Sequence, residues 1–170
     1  LPRLLRSGRL PIDVALIQVT PPDEHGFCSL GVSVDITKPA AEAAKHIIAE
    51  VNPRMPRTLG DSFIPISQIH TLVENDTPIY EFTTPGPSEV AQRIAKNVAE
   101  LIADGSTIQI GYGGIPNALL YYLKDKKDLG VHTEVFSDGI IDLIESGVIT
   151  NRKKTLHPGK VVASFAMGSQ

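Results

Sequence analysis

The sequence predicts an α/β protein whose strands run parallel beneath covering helices. Three observations carry that reading. Apolar runs of strand length alternate with stretches of helical period. Glycine and proline mark the junctions between them. The composition is that of a globular chain: 170 residues, 42% hydrophobic and 21% charged, with enough apolar material to bury a core.

The elements follow in order. Ile12–Val19 is a continuous apolar run rich in β-branched residues, which predicts a buried strand. Pro21–Gly26 reads as a turn, and Phe27–Val34 as a short mixed segment. Pro39–Lys45 is Ala-rich and helix-prone, and His46–Val51 reads as a second buried strand. Asn52–Asp61 is a loop, and Ile64–Val73 a short strand with an irregular continuation. Val90, Ile94, Val98, Leu101 and Ile102 keep helical spacing through Ser88–Ala103, and Asp104-Gly105 stops that helix. Thr107–Ile110 is a strand, Gly111–Gly114 a turn, and Pro116–Lys124 a helix opened by proline. Val131–Phe136 is a strand, Ile140–Val148 a helix, and Val161–Ala166 a further strand.

The Pro/Gly cluster Thr84–Pro87 is the expected boundary between two units, residues 1–85 and 86–170. The chain starts at Leu1 without methionine and stops at Gln170 after a strand-like run, as a piece of a longer polypeptide would. A net charge of −3 argues against nucleic acid as the main partner. The basic runs Lys124–Lys127 and Arg152–Lys154 read as solvated surface, although either could meet a phosphate. No run reaches the roughly 20 apolar residues of a membrane span, and no signal peptide is recognisable. The lone Cys28 cannot form an internal disulfide, which suits a cytoplasmic setting.

Two segments carry candidate chemistry. Gly111-Tyr-Gly-Gly-Ile-Pro-Asn-Ala118 lies between a strand and a helix, where parallel sheets bind ligands. Its glycines let the backbone approach a ligand, and the helix-start amides can hold an anion. It is neither a P-loop nor a dinucleotide fingerprint, since no Gly-Lys-Ser/Thr follows and Pro116 takes the third glycine's place. The same residues also make an ordinary unliganded turn. In Val131–Phe136, alternation puts His132, Glu134 and Phe136 on one face and Val131, Thr133 and Val135 on the other. Glu134 can therefore serve as base or nucleophile, partly desolvated beside Phe136, or simply reach water. His132 reads equally as a structural histidine, and Asp138 as a helix N-cap. Asp23, Glu24 and His25 share one turn but lack metal-ligand spacing, so no metal is expected. Cys28 reads as a small buried residue.

The glycine segment, the stretch Leu129-Gly-Val-His-Thr-Glu-Val-Phe-Ser-Asp-Gly139, the stretch Glu145–Asn151 and the upstream Val19–Gly31 together resemble the acetyl-CoA hydrolase/transferase family. Within it they are most similar to the 4-hydroxybutyrate CoA-transferase group. The resemblance implies a CoA-transferase-like α/β fold of two similar domains, with this chain holding the end of the first and the start of the second. It implies that Glu134 becomes a glutamyl-CoA thioester and that Gly111, Tyr112, Gly113, Gly114 and Ile115 contact CoA. Acyl-CoA and a small carboxylate such as acetate would be the substrates, with no tightly bound cofactor and no metal. A homo-oligomer is expected from the same resemblance. Acyl-CoA hydrolysis and a noncatalytic nucleotide-binding module remain the alternatives.

Overall fold

The computed structural model describes residues 1–83 and 86–169. The chain forms two compact units, Leu1–Tyr80 and Glu81–Gln170. Thr84 and Pro85, on which the expected boundary falls, lie outside the described residues.

The first unit contains α1 (Pro2–Arg6), β1 (Ile12–Val19), β2 (Phe27–Ser29), α2 (Thr37–Ala43), β3 (Ala44–Val51), β4 (Phe63–Pro65), a 3-10 turn (Ile66–Gln68) and β5 (Thr71–Glu74). β1, β3 and β5 form a parallel sheet with β3 central. Ile12 lies opposite Ala44, and Ile48 opposite Thr71. β2 and β4 pair antiparallel, an exception to the expected parallel order. In α2, Pro39 sits in the first turn, where its missing amide is not needed. The helix ends when Ala44 turns extended and leads directly into β3.

β1 departs from the expectation of burial on both faces. Ala15, Ile17 and Val19 are buried against Cys28, Leu30, Ala41 and Ile64, whereas Leu16 is 77% exposed. The strand's period of two separates these sets, and among the described residues of this unit only one face of the sheet is covered.

The Pro21–Gly26 turn is tied by Asp23. Its Oδ1 accepts the amides of His25 at 3.0 Å and Phe27 at 2.8 Å, and its Oδ2 pairs with the Arg57 guanidinium. Chiefly the Phe27 amide, helped by the His25 amide and by Arg57 against a smaller opposing effect of burial, holds this carboxyl below its usual value. Asp23 is thus engaged in shaping the turn. Cys28 is fully buried, and burial pushes its thiol up.

The second unit contains α3 (Glu89–Leu101), β6 (Thr107–Ile108), α4 (Gly114–Tyr121), β7 (Gly130–Val131), β8 (Val135–Phe136), α5 (Asp138–Glu145) and β9 (Phe165–Ala166). β6 pairs parallel with β7, and β8 parallel with β9. Single parallel bridges join Leu129 to Ile149 and His132 to Val162. Mixed α/β architecture with parallel strands is therefore observed, but the pairs are short. The expected strand Val131–Phe136 is broken between Val131 and Val135. Ile110, Leu120, Leu123, Leu129, Val131 and Ile140 are central to the core.

α3 begins as predicted, with the Ser88 hydroxyl accepting the Ala91 amide at 3.2 Å. Its buried face is not the one the large apolar residues marked. Ala91 and Ala95 pack with Ala118 of α4, and Ala99 joins the main core. Val90, Ile94 and Val98 lie exposed on the neighbouring flank, and Leu101 is 85% exposed. Small side chains let two helices approach closely, so geometry overrides hydrophobicity in choosing the contact face.

Two outcomes follow from these contacts. Ala95 is fully buried, so Ala95→Leu should destabilise by about 1–3 kcal/mol through overpacking, read by denaturant unfolding. Because the folded pKa of Asp23 is lowered, its stabilisation is present above about pH 4 and lost as pH falls through the folded value. Asp23→Asn should therefore flatten the acid limb of the stability-versus-pH curve while lowering stability at neutral pH. An unchanged acid limb would refute the assignment.

Candidate active site

Both candidate segments lie in the second unit. The glycine turn leads from β6 into α4, which starts at Gly114 rather than at Pro116. Pro116 occupies the third helical position, where its lack of an amide costs nothing. Gly113 holds the N-cap position at φ +136°, a conformation that a side chain would strain. No side chain caps this helix start, so its first amides keep the anion-facing character expected of an uncapped N-terminus. Tyr112 and Ile115 are exposed, and the Tyr112 ring meets Phe82 edge-on at 5.4 Å.

Glu134 sits in the interruption between β7 and β8. Burial follows the predicted alternation: Val131, Thr133 and Val135 are buried, while His132 and Glu134 are exposed. The expected desolvation of Glu134 beside Phe136 is absent, because the strand breaks there and the side chain reaches solvent. His132 is likewise exposed, and among the described residues its ring has no hydrogen-bond partner. That removes the reading of a satisfied structural histidine.

The two segments are joined through the residues that precede them. Thr133 Oγ1 donates to the Ile110 carbonyl at 2.7 Å and accepts the Ile110 amide at 3.1 Å. Ile110 leads into Gly111, and Thr133 into Glu134, so one side chain ties the turn to the candidate nucleophile's backbone. On the other edge, Ser164 and Phe165 donate their amides to the Glu134 carbonyl at 3.0 and 3.1 Å.

Side chains from the 151–160 loop complete the support. Asn151 is buried with φ +58°, and its Oδ1 accepts the Val131 amide at 2.9 Å. Lys154 Nζ donates to the carbonyls of Val131 at 2.7 Å and Lys160 at 2.6 Å. Lys154 is only 5% exposed, and burial lowers its pKa. This corrects the reading of Arg152–Lys154 as solvated surface: one of its three cations faces inward, to the Lys160 carbonyl and to a Val131 carbonyl that also accepts the Val162 amide at 3.2 Å. The dipeptide Lys153-Lys154 gives no hint of which residue turns in. Gly130 gives a partial signal, since a Cβ there would lie 2.5 Å from the Lys154 stem.

Asp138 is not the N-cap of α5. Ser137 holds that position without a side-chain bond, and both Asp138 carboxylate oxygens accept the Ser169 amide at 3.0 and 3.1 Å. The carboxylate thereby anchors the segment after β9. A cleft of about 200 Å³ lies alongside, lined by Phe82, Asn117, Tyr121, Lys124, Ser137 and Asp138 among others. Asp23, Glu24, His25 and Cys28 belong to the first unit. No group of three or more metal-ligating side chains occurs among the described residues, and no described helix is long and apolar enough to cross a membrane.

The model of the acetyl-CoA hydrolase/transferase N-terminal domain matches residues 1–83. The 4-hydroxybutyrate coenzyme A transferase of Clostridium kluyveri is 56% identical over 99% of this chain and 39% of its own length. A succinyl-CoA:acetate/propanoyl-CoA:succinate CoA transferase of Fasciola hepatica is 48% identical over 100% of this chain and 36% of its own. The crystal structure of 4-hydroxybutyrate CoA-transferase from Porphyromonas gingivalis matches with a TM-score of 0.94 at 50% identity, over 99% of this chain and 43% of that one. The chain thus spans about two fifths of the length of these relatives.

Asn151→Ala should cost at least about 2 kcal/mol, because it strands the buried Val131 amide and puts a Cβ-bearing residue without a local hydrogen bond at positive φ. Asn151→Gly should recover the backbone part only. Equal losses for the two variants in thermal unfolding would show that the left-handed conformation contributes nothing.

Proposed function

Since the chain belongs to the acetyl-CoA hydrolase/transferase family, we propose that it forms part of a CoA-transferase with Glu134 as its covalent nucleophile. The enzyme moves CoA between a short-chain acyl-CoA, such as 4-hydroxybutyryl-, butyryl- or acetyl-CoA, and a carboxylate such as acetate. Residues 1–85 would belong to its first domain and 86–170 to its second, within a homo-oligomer. The observation that carries the reading is the tether between the glycine turn and the strand of Glu134 through Thr133 and Ile110. The transferase names of the two relatives at 56% and 48% identity support transfer rather than hydrolysis.

The proposed steps use ordinary acyl chemistry. The Glu134 carboxylate, exposed and therefore able to meet a substrate, attacks the acyl-CoA carbonyl carbon. The C–S bond breaks, CoA leaves as thiolate, and a mixed anhydride forms. The thiolate attacks the glutamyl carbonyl of that anhydride, releasing the acyl group as its carboxylate and leaving CoA on Glu134. The acceptor carboxylate attacks the glutamyl thioester, expelling the thiolate and forming a second anhydride. The thiolate then attacks the acceptor's acyl carbon, which gives the new acyl-CoA and frees Glu134. One thioester is exchanged for another, so the chemistry calls for no nucleotide hydrolysis. Water must be kept from the anhydrides. The Gly111–Ile115 turn is suited to contact CoA because its backbone is open: a Cβ at Gly114 would meet nothing within 4 Å. Binding of the remote part of CoA there would help to bring the thioester onto Glu134.

In the full-length enzyme, incubation with acyl-CoA should give a CoA adduct on the peptide containing Glu134. Glu134→Ala should lose that adduct and lower acetate-dependent transfer by on the order of 10³-fold or more. Normal transfer by the alanine variant would refute the assignment.

A further inference from the structure

We infer that Thr133 is a positioning residue for Glu134, acting by taking over the rungs of the parallel ladder that the backbone of Glu134 and His132 would otherwise occupy. The inference rests on the proposed role of Glu134. The ladder between β6 and β7 is regular at its start. Gly130 donates its amide to the Ser106 carbonyl at 2.9 Å, and His132 donates to Ile108 at 3.1 Å. In a parallel pair this alternation continues two residues on. The Glu134 amide would then reach the Ile110 carbonyl, and the Ile110 amide would reach the His132 carbonyl.

Neither bond forms. The Thr133 hydroxyl serves both Ile110 groups instead, donating to the carbonyl at 2.7 Å and accepting the amide at 3.1 Å. A hydroxyl can do this because it carries one donor and two acceptor sites. Thr133 is 5% exposed and Ile110 3%, so water does not compete for either group. Two consequences follow. The chain at Glu134 is released from β6 while β7 is kept in register up to the preceding residue. Among the described residues, the Glu134 amide has no acceptor. The residue before the glycine turn is also held at hydrogen-bond length from the residue before the nucleophile. A hydroxyl that only satisfied a buried amide would contribute to stability alone. One that sets the stance of Glu134 also controls the rate of attack, because displacements of about 1 Å cost up to roughly 100-fold in rate.

The test compares Thr133→Val, which keeps the shape and removes both bonds, with Thr133→Ser, which keeps the hydroxyl. Both are made in the full-length enzyme. Thr133→Val should lower kcat and the single-turnover rate of adduct formation about ten- to a hundred-fold, with KM for acyl-CoA within about threefold of the parent. Thr133→Ser should return kcat to within about threefold. Amide exchange at Ile110 should quicken in the valine variant alone. Should valine prevent folding, Thr133→Cys, with its weak thiol donor, should show the same split. Unchanged kcat in Thr133→Val overturns the inference. So does a fall in stability with no change in kcat, or a serine variant as slow as the valine one. A parent enzyme that forms no adduct on Glu134 overturns the proposed nucleophile instead, and this role with it, a pattern separate from slow attack by the valine variant.

Discussion

The arrangement around Glu134 depends on a strand whose backbone ladder to β6 gives way to side chains while its other edge keeps backbone bonds to residues 162–165. Gly130–Thr133 starts as a parallel rung against β6 and then hands its hydrogen bonding to Asn151, Lys154 and its own Thr133. Every buried polar group of the backbone needs a partner. On one edge Val162 supplies an amide and a carbonyl at regular spacing, and three side chains of different reach supply further partners. A ladder would have carried Glu134 on as one more rung. Side-chain support ends the ladder to β6 one residue early, so Glu134 is held by backbone bonds on the opposite edge alone.

That support has an energetic cost, clearest at Lys154. A buried ammonium with no carboxylate among its hydrogen-bond partners is disfavoured, which is why burial lowers its pKa. Its Nζ meets two carbonyls from separate stretches, Val131 and Lys160. A charged donor shared between neutral acceptors makes stronger bonds than an amide would, and the four-carbon stem fills the space that Gly130 leaves. Asn151 shows a related exchange of strain for position, since its left-handed backbone aims Oδ1 at the Val131 amide. Such departures from local preference gather where a chain must hold an irregular shape.

These features divide by how far they were legible. The strands β1 and β3, the start of α3 and the glycine turn were readable, because periodicity and glycine act within a few residues. The family resemblance drew on the same local stretches and is what singles out Glu134 and Gly111–Ile115 for the proposed roles, where spacing left both with bland readings. What escaped was tertiary. Ala91 and Ala95 outcompete Val90 and Ile94 for the α4 contact because the decisive quantity is the approach of Ala118, which no window of α3 contains. Lys154 looked like one of a basic surface run, and the carbonyls that turn it inward lie at Val131, 23 residues away, and at Lys160. Asp138 had a satisfactory local role as a cap, and lost it to Ser169, 31 residues on.

The exposure of Glu134 is compatible with the proposed chemistry only because that chemistry makes two demands at different times. To be attacked through, an acyl-CoA must first reach the carboxylate, and a group already enclosed would bar a thioester carrying so large a carrier. Once the anhydride forms, the same carboxyl carbon must be sheltered, because water would divert the acyl group. An open carboxylate on a rigidly held backbone meets the first demand in this chain. The second is not met by the residues of this chain, which span about two fifths of the relatives' length, and falls to groups outside them, whether protein or substrate. Under that division the protein's fixed contribution is stance: Thr133, Asn151 and Lys154 hold the chain up to Thr133, and the amides of Ser164 and Phe165 hold the Glu134 carbonyl from the far edge. Anchoring on both sides fixes the Cα of Glu134, so when the thioester arrives the backbone is already ordered and only the side-chain torsions remain to be fixed.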